Sequence, residues 1–273
     1  MIKLTGLSKK YGKTFVVQDA DALFPKGEVT SIIGPNGAGK STLLSMASRL
    51  TESDAGEVVI GDKLLAQWDT KELAKHLAVL RQSNNINMRF TIRELVSFGR
   101  FPHSGGRLTA EDNEIIDQAL GHLGIEEIQH KYLDQLSGGQ RQMAFIAMVV
   151  AQDTDYVFLD EPLNNLDIKH SVEIMHTLRR LAHDFNKAVV IVIHDINFAS
   201  CYSDNIVAMK KGKVIKSGSV EEVVQQETME AIYEIPFDIR EVDGVVCVSI
   251  SIVNSLFMCF LKEPTWLLFY LAC

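Results

Sequence analysis

The residues with the clearest chemical signature are nine consecutive positions early in the chain. They are Gly34, Pro35, Asn36, Gly37, Ala38, Gly39, Lys40, Ser41 and Thr42, in the pattern G-x-x-x-x-G-K-S. Glycines let successive backbone N–H groups converge on one anion, because no Cβ atom blocks the dihedral angles that this requires. Lys40 adds a positive charge for the β- and γ-phosphates, and Ser41 adds a hydroxyl ligand for Mg²⁺. The pattern predicts a site that binds a nucleoside triphosphate.

The segments on either side of this loop must position it. Val29–Ile33 is short and β-branched, which is typical of a buried strand, and Leu43, Ala47 and Leu50 recur at helical spacing after the loop. A helix that starts near Gly39 would direct its positive end at the phosphates. A chance glycine-rich turn is the alternative, but it would not explain these flanks.

Two adjacent carboxylates follow a second apolar segment, Tyr156–Leu159. A strand that ends in Asp160 places this carboxylate where the Mg²⁺ of a phosphate loop binds. Glu161, one residue further, is suited to polarise the attacking water as a general base. Two acids at a strand end also occur in ordinary turns, and the loop at 34–42 favours the metal-and-base interpretation.

A further apolar strand is predicted at residues 188–193, directly before His194. A histidine at a strand end is more often structural than catalytic. If this strand runs parallel to the one that ends at Asp160, however, His194 lies at the same sheet edge as the phosphates.

A second glycine-containing motif precedes the apolar helix predicted at 143–150. It consists of Ser137, Gly138, Gly139 and Gln140. Backbone N–H groups at such a helix start can bind an anion. The simpler alternative is a serine N-cap followed by glycine. Proximity to the Asp160 motif favours the anion site.

Outside these motifs, the sequence predicts strands on both sides of the phosphate loop and mainly helices after residue 71. Residues 1–30 and 56–61 predict short strands of one sheet, with Tyr11 at a turn, where its ring either packs or stacks on adenine. Residues 71–152 are predicted to be largely helical, with Leu73, Leu77 and Leu80 on one face.

Several breaks interrupt this pattern. Pro102 and two glycines predict a loop over 99–106, and Thr109 with Asp112 predicts a capping box at a helix start. We expect a hairpin over 206–215 and a closing helix over 221–235.

Composition excludes some classes of function. The 273 residues are 47% hydrophobic and 23% charged, which suits one or two globular domains. A net charge of −8 argues against a nucleic-acid partner. The four cysteines are widely spaced, which favours reduced thiols in a cytosolic protein, and the first residues contain no apolar run of signal-peptide length.

These motifs together resemble the ATP-binding subunits of ABC transporters, from about Met1 to Glu241. The resemblance implies an α/β P-loop NTPase fold with a RecA-like core, an antiparallel β subdomain and an α-helical signature subdomain at about 84–152. The ATPase domain would then cover residues 1–244, and its substrates and cofactors would be ATP and Mg²⁺.

The resemblance also implies a role for each motif. Tyr11 matches the aromatic residue that stacks on adenine, residues 34–42 match the Walker A loop, and Gln82 matches the Q-loop glutamine that contacts Mg²⁺. Residues 137–140 match the ABC signature and Asp167 matches the D-loop. Asp160 matches the Walker B acid, Glu161 the catalytic base and His194 the switch histidine. In this family two subunits sandwich two ATP molecules, so that Ser137 and Gly139 of one copy meet the γ-phosphate held by Lys40 of the other. This arrangement would explain why one chain carries two anion sites.

A finer resemblance is to ATPases of iron(III)-siderophore importers, especially for catecholate types such as petrobactin. It depends on Val96–His103, the Gln82 region and Asp160–Asp167. It implies a homodimer or a closely related second ATPase subunit, polytopic permease subunits, an indirect lipoprotein partner and the cytoplasmic face of the cell membrane. Haem or cobalamin import, a soluble ABC ATPase and a non-hydrolysing ATP-dependent module are the alternatives.

The last residues, 245–273, depart from this family pattern. Residues 245–261 contain no charged side chain, and most of residues 266–273 are apolar. A membrane-spanning helix, a buried or oligomer-facing β-segment, and a tail of altered reading frame or without an evolved role are the three possibilities that this composition leaves open.

Overall fold

The computed structural model describes residues 1–82, 88–164, 166–242 and 244–250. Its strands are β1 (Ile2–Tyr11), β2 (Thr14–Phe24), β3 (Val29–Ile33), β4 (Ala55–Ile60), β5 (Lys63–Leu64), β6 (Leu77–Leu80), β7 (Tyr156–Asp160), β8 (Ala188–Val192), β9 (Asn205–Lys210), β10 (Lys213–Ser219), β11 (Phe237–Val242) and β12 (Val245–Ile250). Its α-helices are α1 (Lys40–Ala47), α2 (Thr70–His76), α3 (Ile92–Ser97), α4 (Phe101–Ser104), α5 (Ala110–His122), α6 (Gly138–Ala151), α7 (Ile168–His183), α8 (Ile196–Tyr202), α9 (Val220–Val223) and α10 (Gln226–Tyr233).

The central sheet has six strands in the order β10-β9-β3-β8-β7-β6. The five from β9 to β6 are parallel, and only β10 runs antiparallel, as the second arm of the predicted hairpin. Strands β3, β7 and β8 are buried along their whole length, as expected for a parallel sheet covered on both faces. Their carboxyl ends meet at one edge, which brings the phosphate loop, Asp160 and His194 together as predicted.

The two faces of this sheet belong to two hydrophobic clusters. In β8, Val189 and Ile191 pack into the cluster that includes the helices α3, α5, α6 and α7, whereas Val190 and Val192 pack into the cluster beneath the second sheet. Alternate residues of a strand point to opposite faces, so one strand anchors both halves of the core.

The second sheet is antiparallel, with the order β2-β1-β4-β5. It confirms that residues 1–30 and 56–61 form strands of one sheet. The β1–β2 hairpin turns at Gly12, and Tyr11 pairs with Thr14 beside that turn. The Tyr11 side chain is 57% exposed, so its ring is available to a ligand.

Helices α3 to α6 lie between β6 and β7 in the chain and form the predicted helical region. Thr109 and Asp112 form the predicted capping box at α5, and Ile116 and Leu120 of this helix are buried. The α-helical subdomain is therefore specified by local signals that the sequence displays.

The helical prediction for residues 77–80 is wrong. Leu77 and Leu80 do not share a helix face with Leu73, because α2 ends at His76 and residues 77–80 form β6. Strand β6 pairs in parallel with β7, with Leu77 opposite Tyr156 and Leu80 opposite Leu159. Pairing with a strand almost eighty residues away overrides the helical spacing.

Three smaller predictions also need correction. The segment predicted as a loop over 99–106 continues as a 3₁₀ turn and helix α4, where Pro102 occupies the first turn, a position that tolerates proline. The closing helix predicted over 221–235 is two short helices, α9 and α10. Leu50 lies beyond the end of α1 and is 49% exposed, so it is not part of the buried helix face.

A buried ion pair connects α5 to the other helices of this region. Arg100 Nε donates to Asp112 Oδ1 at 2.8 Å and its Nη1 donates to the carbonyl of Ala151 at 3.1 Å, with both charged side chains at most 7% exposed. Hydrogen bonds from the Thr109 backbone and from Arg100 lower the pKa of Asp112 to about 2. Arg100 thus ties α5 to the last residue of α6.

We expect Arg100→Met to lower the free energy of unfolding by about 3–5 kcal/mol, because it leaves a buried carboxylate without its cation. Urea denaturation measures this change. The matched control is Arg180→Met, which removes the exposed Arg180–Asp184 pair and should cost about 0–1 kcal/mol. If the two variants have equal urea midpoints, the Arg100–Asp112 pair stabilises the fold no more than an exposed ion pair does.

The described chain ends in a two-stranded sheet. Strand β12 pairs antiparallel with β11 from Val245 opposite Val242 to Ile250 opposite Phe237. Residues 245–250 are thus a strand of this hairpin, of which Val248 is buried and Ile250 is exposed, and the rest of the apolar tail lies outside the described residues. Within the described ranges, no helix combines the length and apolar composition that a membrane crossing needs.

Candidate nucleotide-binding and hydrolysis site

The phosphate loop connects β3 to α1, as its sequence predicts. Gly34 has φ 144° and Gly39, the residue before α1, has φ 99°. A Cβ atom at Gly34 would collide with the carbonyl oxygen of Met209, and one at Gly39 would collide with that of Val16. Both positions therefore need glycine for conformation and for space.

The charge of Lys40 lies inside this loop. Lys40 Nζ donates to the carbonyl oxygens of Gly34 at 2.8 Å and of Pro35 at 3.1 Å, and the residue is buried. Burial lowers the pKa of Lys40, and the carboxylates of Glu161 and Asp160 partly oppose this effect. The loop thus presents a desolvated cation together with the N-terminus of α1, which suits an anionic ligand.

Ser41 and Asp160, two of the residues predicted to bind a metal, lie in contact with each other. Ser41 Oγ donates to Asp160 Oδ1 at 2.8 Å, across the gap between α1 and the end of β7. Asp160 is buried, and burial raises the pKa of its carboxyl. A hydroxyl and a poorly solvated carboxylate are hard oxygen donors, so the residues present fit Mg²⁺.

A cavity of about 230 Å³ adjoins these two residues. It is lined by Tyr11, Ser41, Thr42, Leu44, Ser45, Leu50, Thr51, Arg81, Gln82 and Asp160. The cavity thus joins the aromatic ring on the antiparallel sheet to the phosphate loop and the carboxylate on the central sheet. Gln82, the second residue after β6, also lines this cavity.

The backbone of Glu161 adopts an unusual conformation. Its φ is 52°, in the left-handed region that non-glycine residues seldom adopt, and its N–H donates to the carbonyl of Val192 at 3.1 Å. This turn directs the carboxylate across the sheet edge towards the end of β8. Strain of this kind persists where the surrounding structure enforces it, and it concentrates at functional sites.

Three side chains converge on the Glu161 carboxylate. His194 Nε2 lies 2.6 Å from Oε1, Gln82 Nε2 donates to Oε2 at 2.6 Å, and Asn164 Nδ2 also donates to Oε2. Burial alone would raise the pKa of Glu161, but the hydrogen bonds from His194 and Asn164 outweigh it and lower the pKa. Because an ionised carboxylate only accepts, His194 Nε2 carries the hydrogen in this contact.

The second glycine motif is placed differently. Ser137 caps α6, with its Oγ accepting from Gln140 N and its own N donating to Gln140 Oε1, both at 3.2 Å. The capping role and an anion site are compatible, because Ser137 and Gly138 remain exposed. Among the described residues that line the cavity beside Ser41, none comes from 137–140.

His170 connects this motif to Asp167. A Cβ atom at Gly139 would lie 3.1 Å from the His170 ring, and Asp167 Oδ1 accepts from His170 N at 2.9 Å and lies 2.8 Å from its Nδ1. The hydrogen bonds to His170 lower the pKa of Asp167. Asp167 is thus the N-cap of α7, and His170 lies between it and the glycine motif.

Sequence reasoning assigned no role to Asn164. It follows Glu161 by three residues, within the turn after β7, so its side chain returns to the carboxylate. An amide at this spacing after two acids is the signal that could have identified it. Asn165, its neighbour, lies outside the described residues.

Fold and site together define a class. The central sheet carries a glycine-rich phosphate loop after β3 and two adjacent acids at the end of β7, two positions away in the sheet. The first of these acids accepts a hydrogen bond from Ser41 at the end of the loop, which is the arrangement of a P-loop nucleoside triphosphatase.

Comparison with known proteins specifies the family. The family model described as ABC transporter matches residues 17–164, more than half of the chain. The chain belongs to the ABC transporter family of ATP-binding subunits. It binds ATP and is an ATPase coupled to transport.

This chain matches nearly the full length of two curated relatives. The petrobactin import ATP-binding protein YclP of Bacillus subtilis (strain 168) is 57% identical over 244 residues, which are 89% of this chain and 97% of that protein. The petrobactin import ATP-binding protein FatE of Bacillus anthracis is 47% identical over 239 residues, 88% of this chain and 96% of that protein. The dimeric structure of MJ0796, a bacterial ABC transporter cassette, superposes with a TM-score of 0.72 at 31% identity, over 81% of this chain and 99% of the other.

Proposed function

We propose that this chain is the ATP-hydrolysing subunit that powers an ABC importer for an iron(III)-siderophore complex. The observation that carries the hydrolytic part is the Glu161 carboxylate, held by three donors at the edge of the sheet that also carries the phosphate loop. The ligand class follows from similarity to petrobactin import ATP-binding proteins.

In this proposal ATP spans the cavity between the two sheets. The ring of Tyr11 stacks on adenine, and residues 34–42 enclose the phosphates with backbone N–H groups. Lys40 neutralises the β- and γ-phosphates, for which its buried Nζ is already placed inside the loop.

Ser41, Asp160 and Gln82 would hold Mg²⁺. The ion supplies charge neutralisation for the phosphates when it is bound. Ser41 would contribute its hydroxyl oxygen and Asp160 its carboxylate, and the 2.8 Å hydrogen bond between these two groups supports this proposal. Gln82, which also bonds to Glu161, links this position to the base.

Glu161 orients the attacking water and accepts its proton. Its lowered pKa keeps the carboxylate ionised at neutral pH, so it acts as an acceptor from the outset. His194 fixes the carboxylate through its Nε2–H. Glu161 accepts the proton of the water as the water oxygen bonds to the γ-phosphorus and the bond from that phosphorus to the β–γ bridging oxygen breaks, which releases ADP and phosphate.

A second cassette completes each site. Ser137, Gly138, Gly139 and Gln140 would meet the γ-phosphate bound by the other copy, with Asp167 at the interface between them. The exposure of Ser137 and Gly138 and the dimeric form of the solved cassette support this arrangement. ATP then holds the two copies together, and hydrolysis releases them by removing the shared ligand.

The importer requires partners that this chain does not supply. We propose that it binds polytopic permease subunits at the cytoplasmic face of the cell membrane, as a peripheral subunit of a homodimer or of a pair with a closely related ATPase. A substrate-binding lipoprotein would deliver the siderophore to the permease and would contact this chain only indirectly.

Uptake measurements test the ligand class. In cells that lack this chain, we expect loss of ⁵⁵Fe uptake from a catecholate siderophore such as petrobactin, restored by the wild-type chain and not by Glu161→Gln. Haem and cobalamin uptake serve as parallel assays. Normal siderophore uptake together with loss of haem or cobalamin uptake would contradict the proposal and favour an importer for that ligand. Failure of the chain to co-purify with any polytopic protein would favour a soluble ATPase.

The predicted boundary of the ATPase domain at residue 244 falls inside the β11–β12 hairpin. We further propose that the domain, with its helical subdomain at about 84–152, extends through Ile250 and that the added tail begins after this residue. Strand β12 pairs with β11 of that domain, so two truncations should differ. Ending the chain after Ile250 should keep ATPase activity near wild type, whereas ending it after Gly244 should lower both activity and melting temperature. Equal behaviour of the two chains would show that β12 contributes nothing to the domain.

A further inference from the structure

The segment that contains His194 is short and is anchored on both sides. On one side, Ile193 N–H donates to a carbonyl of β3 at 3.2 Å. On the other, the Asp195 carboxylate caps α8 by accepting from the N–H groups of Asn197 at 2.8 Å and Phe198 at 3.1 Å. The position of the imidazole therefore depends on where α8 lies.

Asn197 in turn connects α8 to the C-terminal strand. Its Nδ2 donates to the carbonyl of Val248 at 3.0 Å, and its Oδ1 accepts from the N–H of Val248 at 2.8 Å. A side-chain amide has both a donor and an acceptor, so it can satisfy both backbone groups of one strand residue. Val248 is buried where α8 packs against β12.

Helix α8 cannot hold this position by itself. It has seven residues, and isolated helices of that length are unstable in water, since most helical stability in proteins comes from tertiary packing. The body of α8 packs against the core through Ala199, and the contacts at its first turn, to Asp195 and through Asn197 to β12, act where α8 meets the His194 segment.

We propose that Asn197 is a positioning residue for ATP hydrolysis: by tying α8 to β12 it keeps His194 against Glu161. The C-terminal hairpin of β11 and β12 is then part of the support of the hydrolytic site. This inference rests on the roles of Glu161 and His194 proposed above.

The first test is Asn197→Ala in the full chain. We expect kcat for ATP hydrolysis to fall about three- to tenfold, with KM for ATP changed by less than about twofold. This is less than the two lost hydrogen bonds would cost together, because their loss acts on the reaction only through the position of His194. The matched control is Ser200→Ala, which removes a hydroxyl bonded to the carbonyl of Asn197 on the same helix and should leave kcat unchanged. Unchanged kcat in Asn197→Ala, or a rise in KM of the same size, overturns the proposal.

The second test asks whether Asn197 acts through His194. Single-turnover hydrolysis is measured for His194→Ala, Asn197→Ala and the double variant, because coupled residues do not add. If Asn197 only positions the imidazole, the double variant equals His194→Ala. An additional loss in the double variant would show a general structural effect and would overturn the inference.

The third test changes the other partner of the contact. Val248→Pro removes the backbone N–H that donates a hydrogen bond to Asn197 Oδ1, so it should reproduce the lowered kcat of Asn197→Ala. Val246→Pro is the control on the same strand, since both hydrogen bonds of Asn197 go to Val248. Equal activities of the two proline variants would contradict the proposal.

These experiments separate the inference from the proposed function. If His194→Ala keeps full activity, the role of His194 is wrong and the inference fails with it. If His194→Ala is slow while Asn197→Ala is not, only the inference fails.

Discussion

Glu161→Gln is expected to lower the rate of ATP hydrolysis by about 10²–10⁴-fold, the usual contribution of a general base, while ATP binding is retained. Glutamine keeps the size of the side chain and can still bond to Gln82, Asn164 or His194, but it cannot accept a proton from water. Because ATP is then bound without turnover, the protein should accumulate as an ATP-bound dimer. Steady-state ATPase assays and light scattering with and without ATP measure both effects.

The control for this variant is Glu111→Gln, an exposed glutamate on α5, which should leave both measurements unchanged. Near-normal ATPase activity of Glu161→Gln would remove Glu161 from the role of base. A protein that hydrolyses slowly but stays monomeric with ATP, even beside its permease, would instead disprove the shared-nucleotide dimer.

Lys40→Ala should fail at an earlier step. Loss of a charged donor to phosphate raises the dissociation constant for ATP by about 10- to 100-fold, since hydrogen bonds to charged groups contribute about 1.5–3 kcal/mol each. The variant also removes the donor to the Gly34 and Pro35 carbonyls, so the loop loses its internal support. Isothermal titration calorimetry with ATP measures the change directly.

Lys213→Ala is the matched control, because Lys213 is an exposed lysine at the start of β10. Its ATP affinity should equal that of the wild type. Normal ATP binding by Lys40→Ala would refute the assignment of residues 34–42 as the phosphate site. The two main variants also differ in kind: Lys40→Ala lowers occupancy, whereas Glu161→Gln keeps occupancy and abolishes turnover.

Much of the site was predictable because its parts are local. A Cβ atom at Gly34 or Gly39 would collide with backbone, so the glycine pattern of the phosphate loop is needed for space. Asp160 follows the short apolar run that forms the buried strand β7. The caps at Thr109 and Asp167 use side chains that bond to backbone within three residues. Such features depend on a few neighbouring positions, so the sequence displays them directly.

Other features depend on residues far apart in the chain. Leu77–Leu80 has helical spacing relative to Leu73, yet it forms β6 because it pairs with β7. Gln82 and His194 meet on Glu161 only because the ends of β6, β7 and β8 lie side by side in the central sheet, whereas Asn164 reaches it through the local turn.

By itself, the sequence determined that this protein has a phosphate loop, an acid pair and capped helices, since short-range backbone geometry and side-chain chemistry fix them. Only the tertiary structure decided that the distant side chains of Gln82 and His194 hold Glu161, and that Asn197 binds Val248, 51 residues further along the chain. The physical reason is that strand pairing and burial join residues without regard to their separation in sequence. A pattern read along the chain cannot show which distant partner satisfies a given hydrogen bond.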